Sequence, residues 1–288
     1  MIPSIPQSRL FKSSFRLYAC IFFTFLMAPL IVVAVFAFND SMFPSLPWHG
    51  FTWDWFISDV EPKLGLFNDH QLYKSIGTSF VVASFTTVLA VSLAVNNAFL
   101  FERKTFRGKS VLYMLMLLPL VIPGVILGVS ILIMSSTIAN YFDEVWAIDI
   151  ELLRPGLALV VIGQFAFITT ICTLIVAARL RNFDLSLEEA ALNLGATKLQ
   201  AIRTITIPYL LPAIIGAAVI SFLMSFENFN TTLMLVGSDS PLTITLYDRL
   251  REGATPVINA VSLLLMLVSI VLALANYFLK GRSNSTEQ

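Results

Sequence analysis

Charge is scarce in this sequence. Only 12% of its 288 residues are Asp, Glu, Lys or Arg, against about 25% in an average soluble domain. Hydrophobic residues make up 57%, and the mean hydropathy is +0.83. That leaves too little polar surface to cover a water-soluble globule, and it excludes a disordered chain. Basic and acidic residues balance at 18 each, which excludes a nucleic-acid binder with a strongly basic face. There are two cysteines, Cys20 and Cys172, each inside a long apolar run. They read as small buried hydrophobes and not as a disulfide scaffold or metal pair. Two histidines, His49 and His70, are too few and too far apart to suggest a metal site. Catalytic motifs are missing as well. Gly108-Lys109-Ser110 is a partial phosphate loop, but Arg103 stands where that loop needs glycine. There is no His-Glu-x-x-His and no Gly-x-Ser-x-Gly. No enzyme site and no cofactor held by this chain is expected.

What the sequence has in abundance is long stretches without charge. Six runs are free of Asp, Glu, Lys and Arg: 17–38, 75–101, 110–142, 155–178, 204–226 and 257–279. A spanning helix needs about 20 mostly apolar residues, so the expected fold is an all-α membrane protein with six transmembrane helices. The run 110–142 is long for one helix, and its end is expected to leave the bilayer as an interfacial segment. The intervening charges set the orientation. With the N-terminus inside, the inner segments hold 13 basic and 5 acidic residues, and the outer ones the reverse. Cytoplasmic loops carry the excess of Lys and Arg, so both termini are expected in the cytoplasm. The expected organisation is a cytoplasmic N-terminus at 1–16, a first transmembrane helix at 17–38, a membrane core at 72–279 and a cytoplasmic tail at 280–288. The first run exceeds the 7–15 residues of a signal-peptide core, and no small-x-small site precedes Asn39; it reads as a retained helix.

Two features between and within the runs carry more than one reading. The outer segment has Trp48, Phe51, Trp53, Trp55 and Phe56. Such aromatics anchor a span at the interface, or they form a lid or docking surface. The third run contains Pro119 and Pro123, then Gly124 and Gly128. The prolines kink a helix. The glycine pair lets a second helix approach closely. Ordinary packing within the chain and a kinked helix bordering a translocation path are both open.

The cytoplasmic segment 179–209 is the most informative. Ser186-Leu-Glu-Glu189 fits a capping box, in which Ser accepts from an amide three residues on and Glu reaches back. Leu187, Ala190, Ala191 and Leu194 follow at helical spacing. Gly195 sits where a helix ends in a left-handed residue. Thr197-Lys-Leu-Gln200 is a second capping box, and Leu199, Ile202 and Ile205 continue an apolar face until Pro208. The order is helix, glycine turn, helix, then membrane. A first helix so short is not stable alone in water. It docks in a groove, or it lies on lipid headgroups or on its own chain.

These residues carry a resemblance. Glu189-Ala190-Ala191, three residues, Gly195, nine residues, Ile205-x-Ile207-Pro208 resembles the Glu-Ala-Ala loop of ABC importer permeases. The chain departs only in Ile207, where the pattern has Leu. Further stretches are similar to the spermidine/putrescine-type branch: Phe38-Asn39-Asp40-Ser41, Trp48-His-Gly50-Phe51-Thr52-x-x-Trp55, Phe106-Arg107-Gly108-Lys109, Arg179-Leu-Arg-Asn-Phe183-Asp184 and Gly253-Ala-Thr-Pro256-Val-Ile-Asn259-Ala260. The resemblance implies a type I importer core at 72–279 whose loop 186–208 couples to an ATPase through Ser186, Glu189, Ala190, Ala191, Gly195, Ile205 and Pro208. It implies a second permease subunit (a different chain in this branch), an ABC ATPase dimer that binds ATP and Mg, and a periplasmic solute-binding protein. It also implies a polyamine or similar small solute and a place in the bacterial inner membrane.

The rival class is an ion-gradient-driven secondary transporter or channel. Such proteins place ionisable residues inside their spans, whereas here only Glu227 borders one. Members of the polyamine branch often carry two adjacent acids at that place; this chain has Glu227 and Asn228. Glu227 is a boundary carboxylate or a cation contact on the path. With Asn228, Pro119 and Pro123 it makes up the expected solute path.

Overall fold

The computed structural model describes residues 8–43, 46–61, 63–253 and 256–284. Among them there are helices and no named strand. In chain order the helices are α1 (Arg9–Phe36), α2 (Asp54–Ile57), α3 (His70–Arg103), α4 (Lys109–Val121), α5 (Gly124–Trp146), α6 (Leu157–Arg181), α7 (Ser186–Asn193), α8 (Lys198–Ala201), α9 (Ile207–Phe226), α10 (Asn230–Leu235), α11 (Leu242–Gly253) and α12 (Val257–Asn284). Among the described residues five stretches are long and apolar enough to cross a membrane: α1, α3, α5, α6 and the continuous helix Lys198–Phe226; α4 and α12 are apolar as well. Parts of the expected N-terminus (1–16) and tail (280–288) lie outside the described residues, as do Ala254 and Thr255 of the last branch-like stretch.

The chain divides into two compact units, 1–70 with 248–288, and 71–247. In the first, α1 packs along α12 and otherwise buries no residue. Cys20, expected to be buried, lies on the exposed surface of α1. The segment after α1 folds back on itself. Asn39 bridges Phe51, and its carbonyl accepts from Trp55 Nε1 at 2.8 Å. Phe38 stacks on Phe51 at 5.1 Å and meets Trp53 and Phe56. Lys63 bridges Asp40 and Asp54, and these carboxylates, Asp40 first, hold its ammonium above the ordinary range. Asp69 and Arg249 form a forked pair at 2.6 and 3.1 Å.

The second unit is built around α6, whose apolar window is more than half buried. Its core joins Ala90, Ala94 and Ala98 of α3 to Ile168, Cys172 and Val176 of α6 and to Leu210 and Ala217 of α9. Alanine at every fourth position gives α3 a slim face, and slim faces let helices pack where no hydrophobic force drives them together.

The third apolar run corrects the expectation of a single kinked span. It is two helices, 13 and 23 residues long. Ile122 between them is extended, with ψ of 127°, the conformation favoured before a proline. Pro123 then opens α5, where its missing N–H costs nothing. The glycines of α5 serve packing within the chain. A Cβ at Gly124 would approach Asn230 to 3.2 Å, and one at Gly128 would approach Met234 to 2.9 Å. On α6, a Cβ at Gly163 would meet Leu235. These three glycines form the cradle in which α10 lies between α5 and α6.

Candidate functional site

The loop that follows α6 in the second unit begins with a cap the sequence reading misassigned. Ser186 is the first residue of α7, and no Ser186–Glu189 capping box forms. Asp184 takes that part. Its carboxylate accepts the Ser186 amide at 3.0 Å, which holds its pKa below the usual carboxylate range. An Asp two residues ahead of the first orphan amides caps them just as well and adds favourable charge at the helix N-terminus.

The end of α7 matches the expectation. Gly195 has φ of 91°. The Gly195 amide donates to the Leu192 carbonyl and the Ala196 amide to the Ala191 carbonyl, both at 3.0 Å. This pair of bonds is the Schellman closure of a helix on a left-handed residue. The second capping box also forms: the Gln200 amide donates to Thr197 Oγ1 while Gln200 Oε1 accepts the Thr197 amide.

Pro208 was expected to end this second helix. Instead the chain runs helically from Lys198 to Phe226. A π turn at Ile202–Thr206 sits just ahead of Pro208. There the Ile207 amide reaches back to the Ile202 carbonyl, one residue further than in an α-helix. The wider turn admits a proline that cannot donate. Ile205, in the π turn, is half-buried against the core around α6. Pro208 and Pro212 are exposed on the helix that follows. The short α7 is thus joined through one glycine turn to a single 29-residue rod.

The two faces of α7 differ. Leu187, Ala190 and Leu194 are exposed, Leu194 to 89%, so this apolar face does not lie on its own chain. Glu189 is exposed too, and its carboxylate has no partner among the described residues. Ala191, at the edge of the apolar stripe, and Glu188, on the side away from it, are half-buried. Glu188, which the sequence reading passed over, accepts from Arg103 Nη2 at 3.1 Å and from the Thr206 hydroxyl. Beneath it Arg103 lies 5.2 Å over the Phe183 ring. Phe183 meets Tyr209 edge-on at 5.0 Å, and Arg179 caps Tyr209 at 4.1 Å. Arg181 forks onto Glu102 at 2.7 and 3.2 Å.

The second group of expected site residues lies at the α9–α10 corner, far from α7 in sequence. Glu227 ends α9 and is exposed. Asn228 is committed locally: its Oδ1 accepts from the Thr232 amide at 3.2 Å and hydroxyl at 3.0 Å. A buried amide joins the corner to α6. Gln164 Nε2 donates to Thr232 Oγ1 at 2.9 Å, and its Oε1 accepts from the Ser225 hydroxyl. Gln164 is seven residues into α6, about 10 Å below the start of that helix at 1.5 Å per residue. The corner therefore sits well inside the length of α6. Ser225 and Thr232, on either side of Glu227 in sequence, are the residues tied to Gln164 there. The lone amide in the run 155–178 was the available signal for this network. Pro119 lies inside α4 and Pro123 at the α4–α5 break, and among the described residues no contact joins either of them to Glu227.

The comparisons decide the family. Residues 87–284 match the family described as binding-protein-dependent transport system inner membrane component. The chain belongs to it. It is a membrane-spanning permease subunit of an ABC importer. It is 28% identical over 263 residues to the putrescine transport system permease protein PotI of Escherichia coli (strain K12), covering 91% of this chain and 88% of that one. The spermidine/putrescine transport system permease protein PotC of Haemophilus influenzae is 24% identical, with 91% of this chain and 94% of that one covered. The molybdenum transport system permease protein ModB of the same species is 27% identical over 210 residues, which are 69% of this permease and 90% of ModB. In fold, the permease is similar to a chain of a bacterial ABC transporter that imports the polysaccharide alginate. The TM-score is 0.71 at 20% identity, with 96% and 99% of the two chains covered.

Proposed function

We propose that this permease imports a polyamine or similar small cationic solute across the bacterial inner membrane, with ATP hydrolysed by a separate ABC ATPase dimer. ATP and Mg belong to that partner; this chain holds no cofactor. A periplasmic binding protein delivers the solute, and a second, different permease chain completes the path. The observation that carries the coupling half of this reading is the outward apolar face of α7. It is a short helix with Leu187, Ala190 and Leu194 exposed and a Schellman turn behind it, the form of a helix that enters a groove. The long PotI and PotC similarity supports the solute class.

In this reading six spans cross with both termini in the cytoplasm: α1, α3, α4 with α5, α6, the rod Lys198–Phe226, and α12. The excess of basic residues in the inner segments supports that orientation. The first span, 17–38, precedes the importer core at 72–279, and the coupling loop occupies 186–208. Ser186, Glu189, Ala190, Ala191 and Gly195 form and present α7. Ile205 and Pro208 shape the π turn that begins the rod. When the ATPases close, the docked α7 moves, the rod tilts, and the path opens outward to receive solute.

Glu227 contacts the cation on this path. A carboxylate at membrane depth faces protein or a water-filled cavity, and Glu227 is exposed on its own chain at the level of Gln164. Asn228 fixes the corner beside it, and the break at Pro119 and Pro123 belongs to the same path in this reading. The test is uptake into proteoliposomes of the full assembly, with labelled putrescine competed by spermidine or by molybdate. Competition by spermidine alone is expected; competition by molybdate alone overturns the solute class. In the same assay Glu227→Gln should raise the KM for putrescine by about tenfold, the loss of about 1.4 kcal/mol, while assembly is retained. An unchanged KM reduces Glu227 to a boundary charge.

A further inference from the structure

The exposed face of α7 explains how a partner grips this helix. It does not explain how movement of α7 reaches the membrane. The Gly195 turn is a single flexible-type residue with nothing within 4 Å of its Cβ position, so the covalent link alone transmits force poorly. The opposite face of α7 holds the second link. Glu188 accepts from Arg103, the last residue of α3, and from Thr206 in the π turn that leads into α9. One carboxylate thus ties three elements that lie 85 and 18 residues apart in sequence. The Arg103 and Glu188 side chains are only 18% and 16% exposed. A charge-assisted bond so shielded is worth more than one at a free surface. Arg103 is held in turn by the Phe183 ring, whose side chain belongs to the buried core with α6.

We infer that Glu188 is a positioning residue of the coupling step: it locks α7 to α3 and to the π turn, so that displacement of α7 moves both membrane helices together. The inference rests on α7 being the helix the ATPase grips. A hydroxyl in a π turn suits this role, because the wider turn is the place in a rod where geometry yields first. Without the Glu188 bonds, α7 would ride with the ATPase and pivot about Gly195 while α3 and α9 stay behind.

The experiment measures putrescine uptake and ATP hydrolysis together in proteoliposomes of the whole assembly. Glu188→Ala should lower uptake per ATP hydrolysed by about fivefold or more, the scale of an allosteric coupling, with the ATPase still associated. Thr206→Val should shift the same ratio in the same direction by less. The exchange Arg103→Glu with Glu188→Arg should recover part of the ratio, which no loss of folding would do. Leu194→Asp, on the outward face, separates the two ideas: it should lower ATPase association. If Leu194→Asp acts so while Glu188→Ala, Thr206→Val and the exchange all keep the normal ratio, the positioning role is overturned and the docking reading stands. If Leu194→Asp leaves association intact, docking through α7 fails, and the inference falls with it. Should Glu188→Ala not assemble, the exchange pair decides: recovery of the ratio supports the role, and assembly with a ratio no better than Arg103→Glu alone overturns it.

Discussion

Gly195→Val is expected to lower uptake by about tenfold or more while the subunit still inserts. Gly195 has φ of 91°, and a Cβ there would meet nothing within 4 Å. The penalty is therefore one of backbone conformation and not of collision. A β-branched residue in the left-handed region costs about 1–3 kcal/mol. The chain can escape that strain by rotating the turn, which breaks the bonds from the Gly195 and Ala196 amides and lets α7 swing away from its groove. The hydrophobic spans are untouched, so insertion survives. Uptake should fall by about tenfold or more, and solute-stimulated ATP hydrolysis should fall with it, since a change of about 1.4 kcal/mol in the productive population is already tenfold. Gly195→Asn should be milder, because asparagine tolerates the left-handed region. Wild-type uptake and stimulation in Gly195→Val would contradict the role of the turn.

Gln164→Leu should be clearly destabilising. Gln164 is 1% exposed and Thr232 0%, and one amide serves both Ser225 and Thr232. Leucine fills the same space but offers neither donor nor acceptor. It strands the Ser225 hydroxyl without its acceptor and takes away the donor to Thr232. A stranded buried group costs about 1–3 kcal/mol, although interhelical bonds measured in membranes average nearer 0.6 kcal/mol. With two bonds lost in a site closed to water, about 2 kcal/mol is expected. It should appear as a lower unfolding temperature of the subunit in detergent. Gln164→Leu combined with Ser225→Ala should regain part of the loss, because the stranded hydroxyl is then gone. An unfolding temperature equal to wild type in Gln164→Leu would show that the network bears no weight. Asn228 remains tied to Thr232 in either variant, so the Glu227 position is perturbed less than the packing of α10.

The long helices were legible because hydrocarbon imposes one rule, about 20 apolar residues per crossing. Each of the six charge-free runs lies largely within helical structure. The glycine turn at Gly195 and the Thr197 capping box were legible too, since both depend on neighbours in sequence. What failed was also local, but ambiguous. Ser186 and Asp184 both suit a cap, and only the backbone direction into α7 chooses Asp184. Pro208 reads as a stop, and a π turn overrides it by moving the missing donor out of register. The Arg103–Glu188–Thr206 node had no sequence signal at all, because Arg103 and Glu188 are 85 residues apart. The corner after Glu227 was not legible for a related reason. Hydropathy marks where an apolar run ends but not that the chain turns there into α10, cradled by Gly124, Gly128 and Gly163. The similarity to known permeases supplies the family, which rests on residues 87–284 and not on any one contact.

The most direct measurement is putrescine uptake into proteoliposomes holding this permease, its partner permease, the ATPase dimer and the loaded binding protein. Ionophores collapse all ion gradients, and ATP or a non-hydrolysable analogue is enclosed. Uptake that requires hydrolysable ATP and persists after the gradients are collapsed is the predicted result. Uptake that proceeds with the analogue and stops when the gradients collapse would contradict ATP-driven import through this subunit.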